Sequence, residues 1–286
     1  MFRRVEGEPA VDALSGALAR VTSIVSYLTA VIDPPESDLP AGPAASTRPL
    51  PTDGQWVPGH ALIDDPPWLG RIIRSTGSGI GTDDPVVAAS VFVQGYSYRV
   101  LTLTVACFTA AGVVPDASAA HLAVGWERNW PSRVAFVAPA VLVTEGPPTD
   151  VATITDALRF VVDTAIEAHL RPLLAAVRTG IGVAVGERLL WGNVAASAAT
   201  AFRTMQGCLG DDVEPIGERF FALAPPEMRG LGSFLVVEDG ERRGWFWERT
   251  NCCLFDRLPG GVRCADCSLT PTTERRAAYR ESLAPS

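Results

Sequence analysis

Four of the chain's six cysteines fall within sixteen residues near its C-terminus, as Cys252-Cys253, ten intervening residues, then Cys264-Ala-Asp-Cys267. Thiols this close must bridge, sit inert in a core or share a metal, so they constrain the fold of their segment more than any periodicity does. The stretch between the pairs, Leu254 to Arg263, is rich in Pro, Gly and Arg, which argues against a core that buries inert thiols. Disulfides do not persist in a reducing compartment. Metal binding is therefore the expectation. Adjacent cysteines on extended backbone point to opposite sides. Gathering them on one tetrahedral zinc, usually held by two Cys-x2-4-Cys knuckles, would need a sharp bend at Cys252-Cys253. A 2Fe-2S cluster spreads four thiolates over two iron atoms and relaxes that demand, so the spacing favours the cluster and leaves zinc open.

The rest of the chain predicts an α+β protein with a predominantly helical body, short β-hairpins and a cysteine-rich C-terminal segment. Apolar residues at helical spacing predict a first helix over 9–32, ended by Asp33-Pro34-Pro35, and 33–54 reads as a proline-rich connector. Residues 74–85 form a glycine-rich loop with no lysine and no Walker or dinucleotide spacing, so a loop feeding a buried helix is expected rather than a phosphate site. That helix is the apolar segment Val86 to Val113, opened by an Asp84-Pro85 cap. A hairpin is expected within 121–143 around Asn129-Trp130-Pro131. Two helices should follow, one capped at Thr153 or Thr155, the next from about Val183 to Met205. Strands at Phe234–Glu238 and Gly244–Glu248 would form a hairpin leading to Cys252. The division expected is a helical body over 1–230 and a hairpin with cluster-binding segment over 231–286.

The net charge is −8, and all 24 basic residues are arginine. A general nucleic-acid binder is excluded, since phosphate binding needs clustered positive charge. From Glu241 onward, however, eight arginines face six acidic residues, so the tail is +2 and the remainder −10. The N-terminus mixes Arg3 and Arg4 with Glu6 and Glu8, unlike a signal peptide. The longest uncharged stretch, Val100 to Pro115, is shorter than the roughly 20 residues a bilayer demands. No stable membrane insertion is expected, and the chain reads as soluble and cytoplasmic.

The segment Arg249-Thr-Asn-Cys252-Cys253-Leu254, followed by Leu258-Pro-Gly-Gly261 and Cys264-Ala-Asp-Cys267, resembles the C-terminus of the FhuF family of ferric-siderophore reductases. Leu189-Leu-Trp191-Gly-Asn193-Val-Ala is similar to that family's helical region. Ser268 stands where family members often carry proline. The resemblance implies a 2Fe-2S cluster on Cys252, Cys253, Cys264 and Cys267. It also implies one-electron reduction of a ferric siderophore in the cytoplasm, with electrons from a donor such as a ferredoxin or a reductase. Arg249, Arg257 and Arg263 are the candidates for meeting an anionic ferric chelate, or else solvated charges balancing the cluster. The alternatives are a zinc-stabilised or cluster-bearing siderophore-binding protein without turnover, and a siderophore-assembly protein. Trp245, Phe246 and Trp247 read as packing aromatics, His169 as a packed histidine, Asp211, Asp212 and Glu214 as a solvated acidic loop, and Cys107 and Cys208 as buried bystanders.

Overall fold

The computed structural model describes residues 2–34, 48–144 and 149–283, so most of the proline-rich connector expected at 33–54 lies outside the described residues. Strand β1 (Arg3–Glu6) leads into α1 (Glu8–Ile24). The helix stops eight residues earlier than its periodicity suggests, because Ala30–Ile32 forms β2, paired in parallel with Val134–Phe136. A ladder partner distant in sequence overrides local helical spacing here. After β3 (Trp56–Pro58) and α2 (Gly59–Asp64) comes α3 (Pro66–Gly79), capped by Asp65, whose carboxylate accepts the Trp68 N–H at 3.1 Å. Helix α3 absorbs the first half of the expected glycine-rich loop. Its buried face of Trp68, Leu69, Ile72 and Ile73 carries the helix through Gly77 and Gly79.

The central element is α4 (Pro85–Ala111), with twenty of its 27 residues buried. Asp84 opens it by accepting from the Val86 and Val87 N–H groups at 2.8 and 3.3 Å. Gly112 closes it at φ 68°, the left-handed conformation that lets its N–H reach back to the Cys107 and Phe108 carbonyls. This helix is long and apolar enough to cross a membrane by length and composition, but 72% of its most apolar window is buried inside the fold.

Strands β4 (Val113–Pro115), β5 (Leu122–Glu127), β6 (Trp130–Phe136) and β7 (Ala140–Val143) follow. They complete a three-stranded sheet in the order β1-β7-β4 and a four-stranded sheet in the order β2-β6-β5-β3. The β5–β6 hairpin turns at Arg128 and Asn129, both at positive φ (51° and 60°), one residue before the expected signal. Next, α5 (Val151–Val161), a π-helical stretch Val162–Leu170 and α6 (Arg171–Gly180) run on without a break. The cap is Asp150 rather than Thr153 or Thr155, its carboxylate accepting the Thr153 N–H at 2.8 Å. Pro172 has no N–H for the ladder, and the widened π stretch precedes it.

Helix α7 (Glu187–Leu209) is rich in Ala, which lets it lie close against α4, with Ser97 and Ser197 hydroxyls 3.2 Å apart. Helix α8 (Glu214–Leu223) leads to the hairpin of β8 (Gly232–Asp239) and β9 (Arg242–Arg249), and α9 (Thr272–Ser282) ends the described chain. Trp245, Phe246 and Trp247 are all buried rather than alternating. Trp245 and Trp247 enter the main core, while Phe246 stacks on Tyr279 of α9 at 4.3 Å between ring centroids.

Candidate metal centre

Strand β9 delivers the chain to Asn251 and Cys252. Two local features then aim the thiols. Leu254 sits at φ 65°, a conformation rare for a side-chain-bearing residue, and this curls its N–H onto Cys252 Sγ at 3.2 Å. Further along, the Cys267 N–H donates to the Cys264 carbonyl at 3.0 Å, closing the Cys-x-x-Cys turn. The adjacent pair diverges as extended backbone requires. Cys253 Sγ faces Cys264 Sγ at 3.5 Å, whereas the Cys252 thiol donates to Asp256 Oδ1 at 3.4 Å. No described cysteine is in a disulfide, and among the described residues no group of three or more His, Cys, Asp or Glu is set to hold an ion.

Two of the four thiols are deeply buried, against the expectation from the loop's composition: Cys253 and Cys267 are each 2% exposed, and Leu258 of the loop packs with Val87 and Val91 of α4. Burial, opposed by the Leu254 N–H and reinforced by Asp256, pushes the Cys252 thiol up to about 11. Cys253 and Cys264 face each other closely enough to share a proton, which favours one thiolate, with Arg249 assisting, and holds the partner thiol up.

Three polar residues tie this segment to the α4–α7 crossing. The Ser90 hydroxyl on α4 donates to the Cys253 carbonyl at 2.6 Å. Asn193 Nδ2 on α7 donates to the Ser90 carbonyl and hydroxyl at 2.9 and 2.8 Å, and Arg249 Nη2 donates to Asn193 Oδ1 at 2.9 Å. Arg275 of α9 holds the other end, its Nη1 donating to the Cys267 carbonyl at 3.2 Å. Gly192 has no side chain because Asn251 lies there: a Cβ would stand 2.1 Å from its amide. Of these, the sequence singled out Arg249, but for a different place, and left Ser90, Asn193, Asn251 and Arg275 without a role. An asparagine in an alanine-rich helix was the available signal.

The three candidate arginines separate. Arg257 and Arg263 are exposed, but Arg249 is only 2% exposed and turned inward, away from any approaching chelate. Asp211 and Glu214 are partners of Arg243, Glu214 bidentately at 2.5 and 2.6 Å, and Glu214 is buried rather than solvated. His169 is fully buried as expected, and so is Cys107, while Cys208 is exposed. The glycine-rich turn has a packing role: Pro259 of the cysteine loop lies over Gly81, and the Asn129 amide over Gly79.

Beside the cysteine loop opens a cavity of about 350 Å³ between α4, α7 and the β5–β6 turn. Tyr98, Arg99, Trp130, Ser197 and Thr200 line it, and Phe255, two residues after Cys253, closes one wall. Gln94 and Ser197 on the lining lie one turn beyond Ser90 and Asn193, so cavity and cysteine anchor share the same two helices.

By its chemistry the donor set, four free cysteines in one segment, fits a 2Fe-2S cluster, and one pair of them already faces as ligands of one ion would. Two thiolates on one tetrahedral ion at about 2.3 Å stand roughly 3.8 Å apart, close to the Cys253–Cys264 separation. Immediately before Cys252, Arg249 Nε and Nη1 and Asn251 Nδ2 are buried donors without a hydrogen-bond partner, as groups awaiting an acceptor would be. Residues 90–238 match the family described as ferric iron reductase FhuF-like transporter, and residues 249–269, spanning all four cysteines, match the FhuF 2Fe-2S C-terminal domain. A comparison with curated proteins finds no match. Among solved structures the chain is similar to aerobactin synthetase IucC from a hypervirulent pathotype of Klebsiella pneumoniae. The identity is 17% over 62% of this chain, with a TM-score of 0.42, and the match spans only 32% of the synthetase.

Proposed function

Because the chain belongs to the FhuF-like ferric iron reductase family and carries its 2Fe-2S C-terminal domain, we propose that it is a cytoplasmic ferric-siderophore reductase. In this reading Cys252, Cys253, Cys264 and Cys267 hold the cluster, residues 1–230 recognise the chelate and 231–286 carry the redox centre. One observation carries it: the loop bearing Cys252 and Cys253 also supplies Phe255 to the wall of the cavity, so a ligand seated there lies against the thiolate segment.

A 2Fe-2S cluster supplies one electron at a time. The substrate needs no more. Hard oxygen donors hold iron(III) far more tightly than iron(II), so a chelated ferric ion that gains one electron leaves as iron(II), and protons return to the freed donor oxygens. The electron comes from an external one-electron donor of the ferredoxin or reductase class. Tyr98, Trp130 and Phe255 offer flat faces to one arm of the chelate, and Gln94, Ser197 and Thr200 offer hydrogen bonds. Arg99 is fixed by the Ser132 and Gly95 carbonyls at 2.9 and 2.7 Å, which leaves its Nη2 without a partner among the described residues. Exposed Arg257 and Arg263 add positive potential on the cysteine loop.

The test is anaerobic reduction of ferric hydroxamates and catecholates by dithionite-reduced protein, with a colorimetric iron(II) trap. Iron(II) should appear with wild type and vanish with Cys264→Ser. Thr200→Trp, which fills the cavity, should raise KM about tenfold and leave the EPR signal of the reduced centre unchanged. Colourless protein with one zinc per chain, or full turnover by Cys264→Ser, overturns the reading. Tight chelate binding without iron(II) release assigns a binding protein instead.

A further inference from the structure

We propose that Arg249 is the positioning residue of the redox centre: its buried charge and its two unpartnered N–H groups face the sulfur set and hold it at a less negative potential than the rest of the tail would. The inference rests on the reading that the four cysteines hold the cluster.

Arg249 is 2% exposed, at the end of β9, three residues before Cys252. Among the described residues it has no carboxylate partner. Its one side-chain hydrogen bond runs from Nη2 to Asn193 Oδ1, and Nε and Nη1 are buried with none. A buried guanidinium without an anion is strongly unfavourable, so the fold must bring negative charge to it. Four thiolates bound to two ferric ions through bridging sulfides are net negative, and become more so on reduction.

The anchor is polarised in one direction. The Ser90 carbonyl only accepts, so Asn193 must present its NH₂ to Ser90 and its oxygen to Arg249. Arg249 donates to Asn193, Asn193 to Ser90 and Ser90 to the Cys253 carbonyl. The guanidinium is thereby oriented by the same chain of bonds that fixes the backbone of Cys253. Arg275 lacks this relation to the sulfurs, since its Nη1 bonds run to the carbonyls of Arg249, Asp266 and Cys267. Arg257 and Arg263 are exposed, and solvent screens them.

The experiment is an EPR-monitored reductive titration of full-length, cluster-loaded protein, with iron and sulfide determined on each sample. Arg249→Gln should lower the midpoint so that the equilibrium constant for reduction falls at least tenfold, about 59 mV for one electron. Arg249→Lys should recover most of the midpoint while changing the g-anisotropy, because it restores the charge but not the fork of donors. Arg257→Gln and Arg263→Gln should move the midpoint by less than a third as much. Should Arg249→Gln fail to load while Arg249→Lys loads, the charge assignment also stands. A midpoint for Arg249→Gln matching wild type or Arg257→Gln overturns the proposal, and so does loss of loading in both Arg249 variants with wild-type circular dichroism. Wild-type iron and sulfide in Cys264→Ser would instead sink the ligand set on which it rests.

Discussion

Both ring nitrogens of His169 are committed. Nδ1 lies 2.8 Å from the Ala117 carbonyl, an acceptor only, so it carries the proton, and Nε2 accepts from the Tyr96 hydroxyl at 2.8 Å. Full burial holds the imidazole down at about 4, against its ordinary 6.5, with the Ala117 bond acting weakly the other way. The sign of the consequence is fixed. As pH falls below 6.5 the unfolded chain takes up this proton before the folded one does, so stability that is complete above 6.5 drains away down to pH 4. The full amount is about 3 kcal/mol. Urea unfolding of wild type should show it between pH 7 and pH 4.5, and His169→Gln should lose that slope while being less stable at pH 7. Parallel slopes in the two proteins would remove His169 as the cause. At the same scale, the packed character of His169 was legible from its apolar helix face, but the burial of Arg249 was not, since an arginine beside cysteines reads alike whether it points to water or to sulfur.

Helix α4 is the element that links core to centre. Its start was visible in sequence, because Asp84-Pro85 acts through bonds to residues within one turn, whereas the Gly112 stop was passed over in an apolar segment read on to Val113. What the helix does for the cysteines was not visible. Ser90 reaches Cys253, 163 positions away, and it does so only because α7 brings Asn193 to the same point. Ser90→Ala should cost about 1–3 kcal/mol by leaving the Cys253 carbonyl and an Asn193 N–H unmade. It should also speed iron loss to a strong chelator, followed by bleaching of the cluster absorbance. An unchanged bleaching rate would mean that the cysteine loop is held by its own turns alone. The mis-set end of α1 has the related cause that Ala30–Ile32 finds a strand partner in β6, which no local window contains.

At the scale of the molecule, the main hydrophobic core takes in Trp245 and Trp247 and none of the four clustered cysteines, while Leu258 and Tyr279 belong to small separate clusters. The body should therefore survive loss of the centre. Cys267→Ser should bleach the protein yet keep its far-UV circular dichroism and a cooperative melt, with limited proteolysis cutting the loop near Val262, which is 70% exposed. Collapse of the whole fold on that substitution would show that the centre organises the body as well. The sequence by itself pointed to the chemistry: four cysteines in sixteen residues, in the pattern of a 2Fe-2S C-terminal domain, mark a metal-binding segment without any fold. Tertiary structure alone decided which charge lies beside them and where a substrate could approach. Burial of Arg249, its contact with Asn193 56 positions away and the cavity between α4 and α7 all depend on helices packing across the chain, and burial is a property of the surroundings rather than of the residue.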